Sequence, residues 1–425
     1  MALLVFMGTL FTFLAVGVPV AISLTGCAFV LMVYLNIFDP VTAAQQMVAA
    51  TNNFALMAIP FFMLAGEIMA TGGLSKRIVN AANLAVGRIN GGLGYTCILA
   101  SILFAGLSGS AIADAAALGA ILMPLMIQNG YKTERATGLV CSSSIIAPII
   151  PPSIPMIVLG TSVGLSISRM FMSGIIPGII MGVALMVVWF FVVRKDGYND
   201  IKKYGFKEGM KLLLESIPAL FMPVLIIGGI RMGIFTPTEA GAFACVYAIL
   251  VCLFIYRELN LKQLYRALVA SAKSTATVMF IVAAASAVGY MITVAKVPDL
   301  VVSMCGPLIG HPLLLLVVIN LFLFLMGMVM DVTPNILIFA PVLFPLIKAA
   351  GINEYAFALI MVLNLCIGLI TPPVGIVLYV GSSISRLNVA RVVAGVIPFL
   401  IIEIVILFLF IFFPSLILVP LGWLA

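Results

Sequence analysis

Ala147-Pro148-Ile149-Ile150-Pro151-Pro152-Ser153-Ile154-Pro155 sets four prolines within nine residues. The run lies inside an apolar stretch, 137–167, long enough to cross a bilayer. Proline lacks the amide hydrogen and its ring crowds the carbonyl four residues back, so a helix through this run must break and free carbonyls upstream. Such carbonyls are untenable against lipid and survive only where protein or a watery cavity covers them. A second run, Gly368-Leu369-Ile370-Thr371-Pro372-Pro373-Val374-Gly375, interrupts the stretch 356–385 in the same way.

The two runs are related by a shift of 221 residues. Without a gap it also superposes Gly106 on Gly327, Pro124 on Pro345, Gly130 on Gly351, Gly160 on Gly381, Gly174 on Gly395 and Pro177 on Pro398. With the double prolines these are eight coincidences in 72 positions, where the 37 glycines and 23 prolines would give about 0.8 by chance, so the chain carries an internal repeat.

Composition sets the solvent. Of 425 residues, 64% are hydrophobic and 8% charged, against about 25% charged in a soluble domain. That excludes a water-soluble enzyme and a nucleic-acid-binding module, and the partner of most of the surface is membrane lipid. At about 20 apolar residues per crossing the expectation is an all-α polytopic membrane protein of about ten full crossings. The net charge of +7 is the excess of Lys and Arg that cytoplasmic loops carry. The seven cysteines form no CxxC pair and read as small packing residues.

Apolar stretches lie near 1–20, 21–38, 48–70, 93–127, 137–167, 171–193, 213–230, 238–256, 274–295, 313–347, 356–385 and 392–415. Those at 93–127 and 313–347 are too long for one crossing and are interrupted at Ser108-Gly109-Ser110 and at Asp331-Val332-Thr333-Pro334-Asn335. Basic loops around Lys76, Arg88, Lys132, Arg194 and Arg257 belong inside. Both flanks of 93–127 then share a side, as a re-entrant hairpin requires, and the N-terminus is periplasmic. Two units follow, 1–193 and 213–425, each with three spans (1–70 and 213–295), a hairpin, a broken span and a final span. Five crossings per unit make the repeat inverted. Residues 194–212, with Tyr198, Ile201, Tyr204 and Phe206 among the basic residues, are expected to form an amphipathic linker helix on the cytoplasmic surface.

In such an arrangement substrate and ions bind near the midplane, at hairpin tips and helix breaks. Freed carbonyls at Ala147, Ile150 and Pro152, with the hydroxyls of Ser108 and Ser110, suit a weakly held Na+. The shifted set Gly368, Thr371 and Pro373, with Gly327, Val332 and Pro334, suits a second. The competing reading is that the prolines only kink packed helices. Asp331 stands at the repeat position of Ser110 and either handles ion or substrate or caps its hairpin tip; for Asp114 the capping reading is favoured. Ser108, Ser153, Asn335 and Asn364 offer donors to an oxygen-rich acid. Glu67, Glu239 and Glu403 suggest a proton path but lack an evident relay partner. Gly106-Leu107-Ser108-Gly109 has the GxSG form of an intramembrane serine protease, yet the base that chemistry needs is missing, because the single histidine, His311, is expected in a loop on the opposite side. Gly174, Gly178 and Gly182 form a helix-packing face.

These motifs, with Ile59-Pro60-Phe61-Phe62-Met63-Leu64-Ala65-Gly66, Phe104–Asp114, Phe235-Thr236-Pro237-Thr238-Glu239-Ala240 and Asn364–Gly375, resemble nearly end to end the large membrane subunit of the tripartite ATP-independent periplasmic (TRAP) transporters of DctM and SiaM type. The resemblance implies a Na+-driven elevator-type transporter of the bacterial inner membrane, not an enzyme. It implies a soluble periplasmic binding protein that delivers an organic acid, and a separate small four-helix membrane subunit. Substrate would lie between the hairpin tips, near Ser108, Ser110, Ser153, Asp331, Asn335 and Asn364. Sialic acid is the expected substrate, with C4-dicarboxylates and other carboxylates as alternatives, and a stand-alone Na+/carboxylate symporter is the rival transporter class.

Overall fold

A computed structural model describes residues 1–198 and 205–424, and among them every regular element is helical. The chain runs α1 (Ala2–Ala15), α2 (Val20–Tyr34), α3 (Pro40–Thr51), α4 (Ala58–Thr71), α5 (Leu74–Val86), α6 (Gly92–Ser108), α7 (Ala111–Gln128), α8 (Thr133–Ser144), α9 (Ile154–Val163) and α10 (Ile167–Asp196). It continues α11 (Phe206–Arg231), α12 (Pro237–Leu250), α13 (Leu261–Val294), α14 (Val297–Met304), α15 (Gly306–Ile309), α16 (Pro312–Gly327), α17 (Val332–Ala349), α18 (Glu354–Gly368), α19 (Ile376–Ser385), α20 (Val389–Phe412) and α21 (Ser415–Leu424). Eight helical segments among the described residues are long and apolar enough to cross a membrane.

The repeat is present element by element. Helices α7 and α17 are both 18 residues long and begin 221 apart (332 less 111). The same offset sets α8 against α18 (354 less 133), and the starts of α6, α9 and α10 match those of α16, α19 and α20 to within one residue. These ten helices form a bundle in which α8 lies against α20, α16 against α18 and α9 against α17. Around it, α4 lies on α12, and α13 crosses α2, α3 and α4 to make a frame. Amphipathic α5 contacts both α6 and α11, while α14 contacts α17, so a short helix joins frame to bundle just before each hairpin.

Several boundaries differ from the sequence expectation. The expected spans 1–20 and 21–38 are helices of only 14 and 15 residues, because the chain turns at Gly17, whose φ is +85°. The expected span 48–70 starts earlier, at Pro40, and is interrupted: Asn52 closes α3, the Asn53 side chain accepts the Ala55 amide, and a 3₁₀ turn at Phe54–Met57 leads into α4. Its repeat mate α13 is continuous for 34 residues, about 51 Å at 1.5 Å per residue. That exceeds the bilayer core of about 30 Å, and the excess carries Lys262, Arg266 and Lys273. A separate linker helix over 194–212 does not form among the described residues. Helix α10 runs on to Asp196 and α11 starts at Phe206, while Ile201 and Tyr204 lie outside the described residues. Tyr198 instead stacks on Tyr131 at 4.2 Å between ring centres, and both stack on Trp189.

Charged residues tie loops at one end of the molecule. Lys132 Nζ is 2.6 Å from Asp196, and Arg77 Nη2 is 2.7 Å from Glu258, with its guanidinium 3.7 Å over the Tyr256 ring. That hydrogen bond holds the Glu258 carboxyl below its usual range. Buried polar pairs pin each hairpin to its broken helix, through the repeat mates Ser143 and Asn364. Ser101 donates to Ser143 at 3.0 Å between α6 and α8, and Asn364 donates to Asn320 at 2.7 Å between α18 and α16.

Close helix approach depends on small residues where hydrocarbon offers no hydrophobic drive. At the crossing of α8 and α20, a Cβ on Gly138 would overlap the Gly395 carbonyl. Gly138→Ala should therefore cost about 1–3 kcal/mol of overpacking strain and lower the apparent melting temperature in detergent. Gly228→Ala, at a position with nothing within 4 Å, should leave it unchanged or raise it.

Candidate functional site

Each hairpin tip is locked onto the break of its own broken helix. Helix α6 ends at Ser108 and the chain turns through Gly109 at φ +59°, where a Cβ would stand 2.5 Å from the Pro152 carbonyl oxygen. Only glycine allows both that conformation and that approach. In the second unit the Val374 and Gly375 amides each donate to the Met328 carbonyl at 3.3 Å, and a Cβ on Gly368 would overlap the Gly327 backbone. Pro151-Pro152 and Pro372-Pro373 are both cis. Gly174 and Gly178 seat α10 against the first break, with space only for Ile149 O and the Ile150 side chain.

At that break, the Ile149 and Ile150 amides both donate to Ile146 O, and Ser153 Oγ donates to Pro148 O. No donor among the described residues reaches the carbonyls of Ala147, Ile150 or Pro152. Ser108 Oγ donates to Asp114 Oδ1, and Ser110 Oγ accepts the Ala113 amide at 3.4 Å. The cap of α7 is thus Ser110, not Asp114. Asp114 is fully buried and reaches back to Ser108, and its Oδ2 has no partner among the described residues. In the second unit Thr371 Oγ1 donates to Ile367 O at 2.7 Å. Val332 and Pro334 lie in the first turn of α17, where carbonyls enter the helix's own ladder. Those two therefore lack the free carbonyls expected of ion ligands, and the Gly368 carbonyl accepts the Thr371 amide at 3.0 Å, whereas Gly327 ends its helix and Pro373 lies in the break.

A cavity of about 420 Å³ is bounded by both tips and both breaks, through Ser110, Asp331, Thr333, Pro148 and Leu369. A neighbouring lobe of about 400 Å³ shares Ser110 and adds Ser108. The N-termini of α7, α9 and α17 all open on this space, at Ala111, Ile154 and Val332. Each helix start carries a partial positive charge of roughly half a unit; caps take the Ala113, Met156 and Val332 amides, and the amides of Ala111, Ile112, Ile154 and Thr333 are left to receive an anion. Among the described residues no Lys, Arg or His lines either lobe, whereas Glu67 lines both and Asp331 one.

Of the residues expected at the substrate, Ser108, Ser110 and Asp331 line this space. Ser153, Asn335 and Asn364 do not: all three are fully buried and their side chains brace backbone. Asn335 Nδ2 donates to the carbonyls of Met326, Met330 and Asp331 across the second tip, and Asn364 is spent on Asn320. Asp331 also caps α17 by accepting the Val332 amide at 2.8 Å, so both readings of it have a structural counterpart. Glu239 is a helix cap, accepting the amide and hydroxyl of Thr236 at 2.8 Å. Glu403 is fully buried and neither oxygen has a partner among the described residues. His311 stands at the start of α16, the whole arm away from its tip. Sequence reasoning missed the frame side of the cavity, Ser274 and Thr277 of α13. The signal was there in Ser271, Ser274 and Thr277, a polar stripe at spacing three.

Comparison with known proteins agrees with this architecture. The family described as "Tripartite ATP-independent periplasmic transporter, DctM component" matches residues 7–416. The 2,3-diketo-L-gulonate TRAP transporter large permease protein of Escherichia coli is 47% identical, covering all of both chains. A putative TRAP transporter large permease protein of Haemophilus influenzae is 48% identical over the same extent. The sialic acid TRAP transporter large permease protein of Vibrio cholerae is 36% identical over 94% of this chain and 93% of its own. In fold alone, the YdaH transporter of Alcanivorax borkumensis superposes with a TM-score of 0.66 at 13% identity, covering 92% of this chain and 90% of its own. The chain belongs to the DctM component family, the large permeases of the tripartite ATP-independent periplasmic transporters, and is a transporter component, not an enzyme.

Proposed function

We propose that this permease drives Na+-coupled uptake of an organic acid across the bacterial inner membrane, with a small four-helix membrane subunit and a periplasmic binding protein as partners. The observation that carries the reading is the meeting of three helix N-termini, drawn from both repeat units, on one cavity without a cationic side chain. An anion held there depends on backbone amides and on bound cations. Na+ supplies those cations, one at the tip of α6 with Ser108, Ser110 and the free carbonyls of Ala147, Ile150 and Pro152, the other at the second break around Gly327, Gly368, Thr371 and Pro373. The bundle of α6–α10 and α16–α20 carries this site as one body past the frame, in an elevator motion, and the inverted repeat furnishes the two end positions.

The basic loops are cytoplasmic, which puts the N-terminus outside. The substrate cavity runs from the tips toward that basic end, past Glu67 near the end of α4, so this conformation faces the cytoplasm. For the substrate, a sugar-derived acid of the 2,3-diketo-L-gulonate kind ranks ahead of sialic acid, since the relatives named for them are 47% and 36% identical. C4-dicarboxylates follow, also at 36%.

The test is uptake of labelled 2,3-diketo-L-gulonate, sialic acid and succinate into proteoliposomes holding this chain and its small subunit, with and without a Na+ gradient and binding protein. Uptake of one acid that requires both is expected; uptake with Na+ but without binding protein would mean a stand-alone symporter. Asp331→Asn, which keeps an acceptor for the Val332 amide, should slow uptake roughly tenfold, about 1.4 kcal/mol, at an unchanged melting temperature. Unaltered kinetics would remove Asp331 from the mechanism. Ser110→Ala should raise the Na+ concentration needed for half-maximal uptake, and the same Na+ dependence as wild type would remove it from the first ion site.

A further inference from the structure

The frame presents two unlike walls to the bundle. At the hairpin tips the wall is α4 and the first half of α13, contributing Glu67 and Ser274. A second cavity, of about 470 Å³, lies toward the other end of α13, between α3 and α13 of the frame and α9 and α17 of the bundle. The two cavities are repeat mates: Ser274 of one and Asn53 of the other are 221 apart (274 less 53), as are Ala116 and Leu337 (337 less 116). The polar lining of the second is neutral throughout, including Gln46, Asn52, Asn53, Ser162, Tyr290 and Thr293. The position matching Glu67 (67 plus 221) is Val288, 1% exposed.

Glu67 is half-buried and its carboxylate has no hydrogen-bond or ion-pair partner among the described residues. No Lys, Arg or His among the described residues lines the cavity to neutralise it. Asp331 belongs to the bundle and acts on substrate equally wherever the bundle stands, whereas Glu67 is fixed to the frame and faces the site in only one position.

We propose that Glu67 is an anion-release residue: a frame carboxylate that weakens substrate binding on the cytoplasmic side alone, while the opposite vestibule receives the same anion against neutral amides and hydroxyls. The proposal rests on the transport reading above. One unit charge about 8 Å from a bound carboxylate, at an effective dielectric of about 40, between bulk water and a protein surface, weakens binding roughly fivefold. A fixed charge does no net work over a closed cycle, so it changes side-specific affinity and rate but leaves the final accumulation to the ion gradient.

The experiment uses the complete transporter in proteoliposomes, with binding protein outside so that one orientation is read, and as probe the acid from the panel above that wild type transports. Glu67→Gln should lower the internal concentration for half-maximal exchange about fivefold and slow net uptake, with the external half-saturation and the final accumulation unchanged. Asn53→Asp keeps the acceptor for the Ala55 amide and adds a charge to the other vestibule; it should raise the external half-saturation by a similar factor. An unchanged internal half-saturation in Glu67→Gln, equal shifts on both sides, or a change confined to Na+ dependence would overturn the assignment. Absence of transport by wild type with every acid would overturn the transport reading on which it rests.

Discussion

A peptide carbonyl left without a donor in hydrocarbon costs several kcal/mol, and this chain creates such carbonyls twice, at its double prolines. The surrounding architecture answers that cost. Each break is buried against a hairpin tip of the same repeat unit, and glycines at Gly109, Gly174, Gly327 and Gly368 allow backbone to come against backbone there. What remains unpaired at Ala147, Ile150 and Pro152 is shielded from lipid, so oxygen ligands persist at membrane depth without a carboxylate cage. The hairpins, the glycine faces and the buried pairs Ser101–Ser143 and Asn320–Asn364 all serve that one requirement.

Repetition supplies the scaffold and departures from it supply the specificity. The bundle helices keep the repeat register closely, yet the frame does not: α3 and α4 are parted at Asn52-Asn53, where α13 runs unbroken. Ser110 and Asp331 share a repeat position, and both start a helix, one with a neutral cap and one with a charged cap. The anion-attracting element is therefore backbone in both halves, while the side chains around it set local charge.

Much of the fold was legible because proline and glycine act locally: the breaks, the hairpin interruptions and the 221-residue register follow from backbone chemistry that any sequence displays. The family resemblance rested on the same residues. Illegible were features fixed by long-range packing. Asn335 and Asn364 look like substrate donors, but only the folded chain shows their amides consumed by carbonyls of Met330 and Asn320. Val332 and Pro334 look like counterparts of the freed carbonyls until α17 is seen to begin at Val332. The linker expected over 194–212 lies partly outside the described residues, with α10 and α11 extending into it from either side, and α5 went unnoticed because its apolar face is too narrow to register as a span.

From Gly106 to Pro177 the two halves keep a common frame without one inserted or deleted residue. Connecting loops ordinarily drift in length faster than the helices they join, but here the tips and breaks are themselves the loops, and each is fitted to the other within its half. Such segments are open to substitution and closed to changes in length. Grafting a hairpin from a distant relative would then succeed only when its broken helix travels with it, since the heritable unit is the fitted pair.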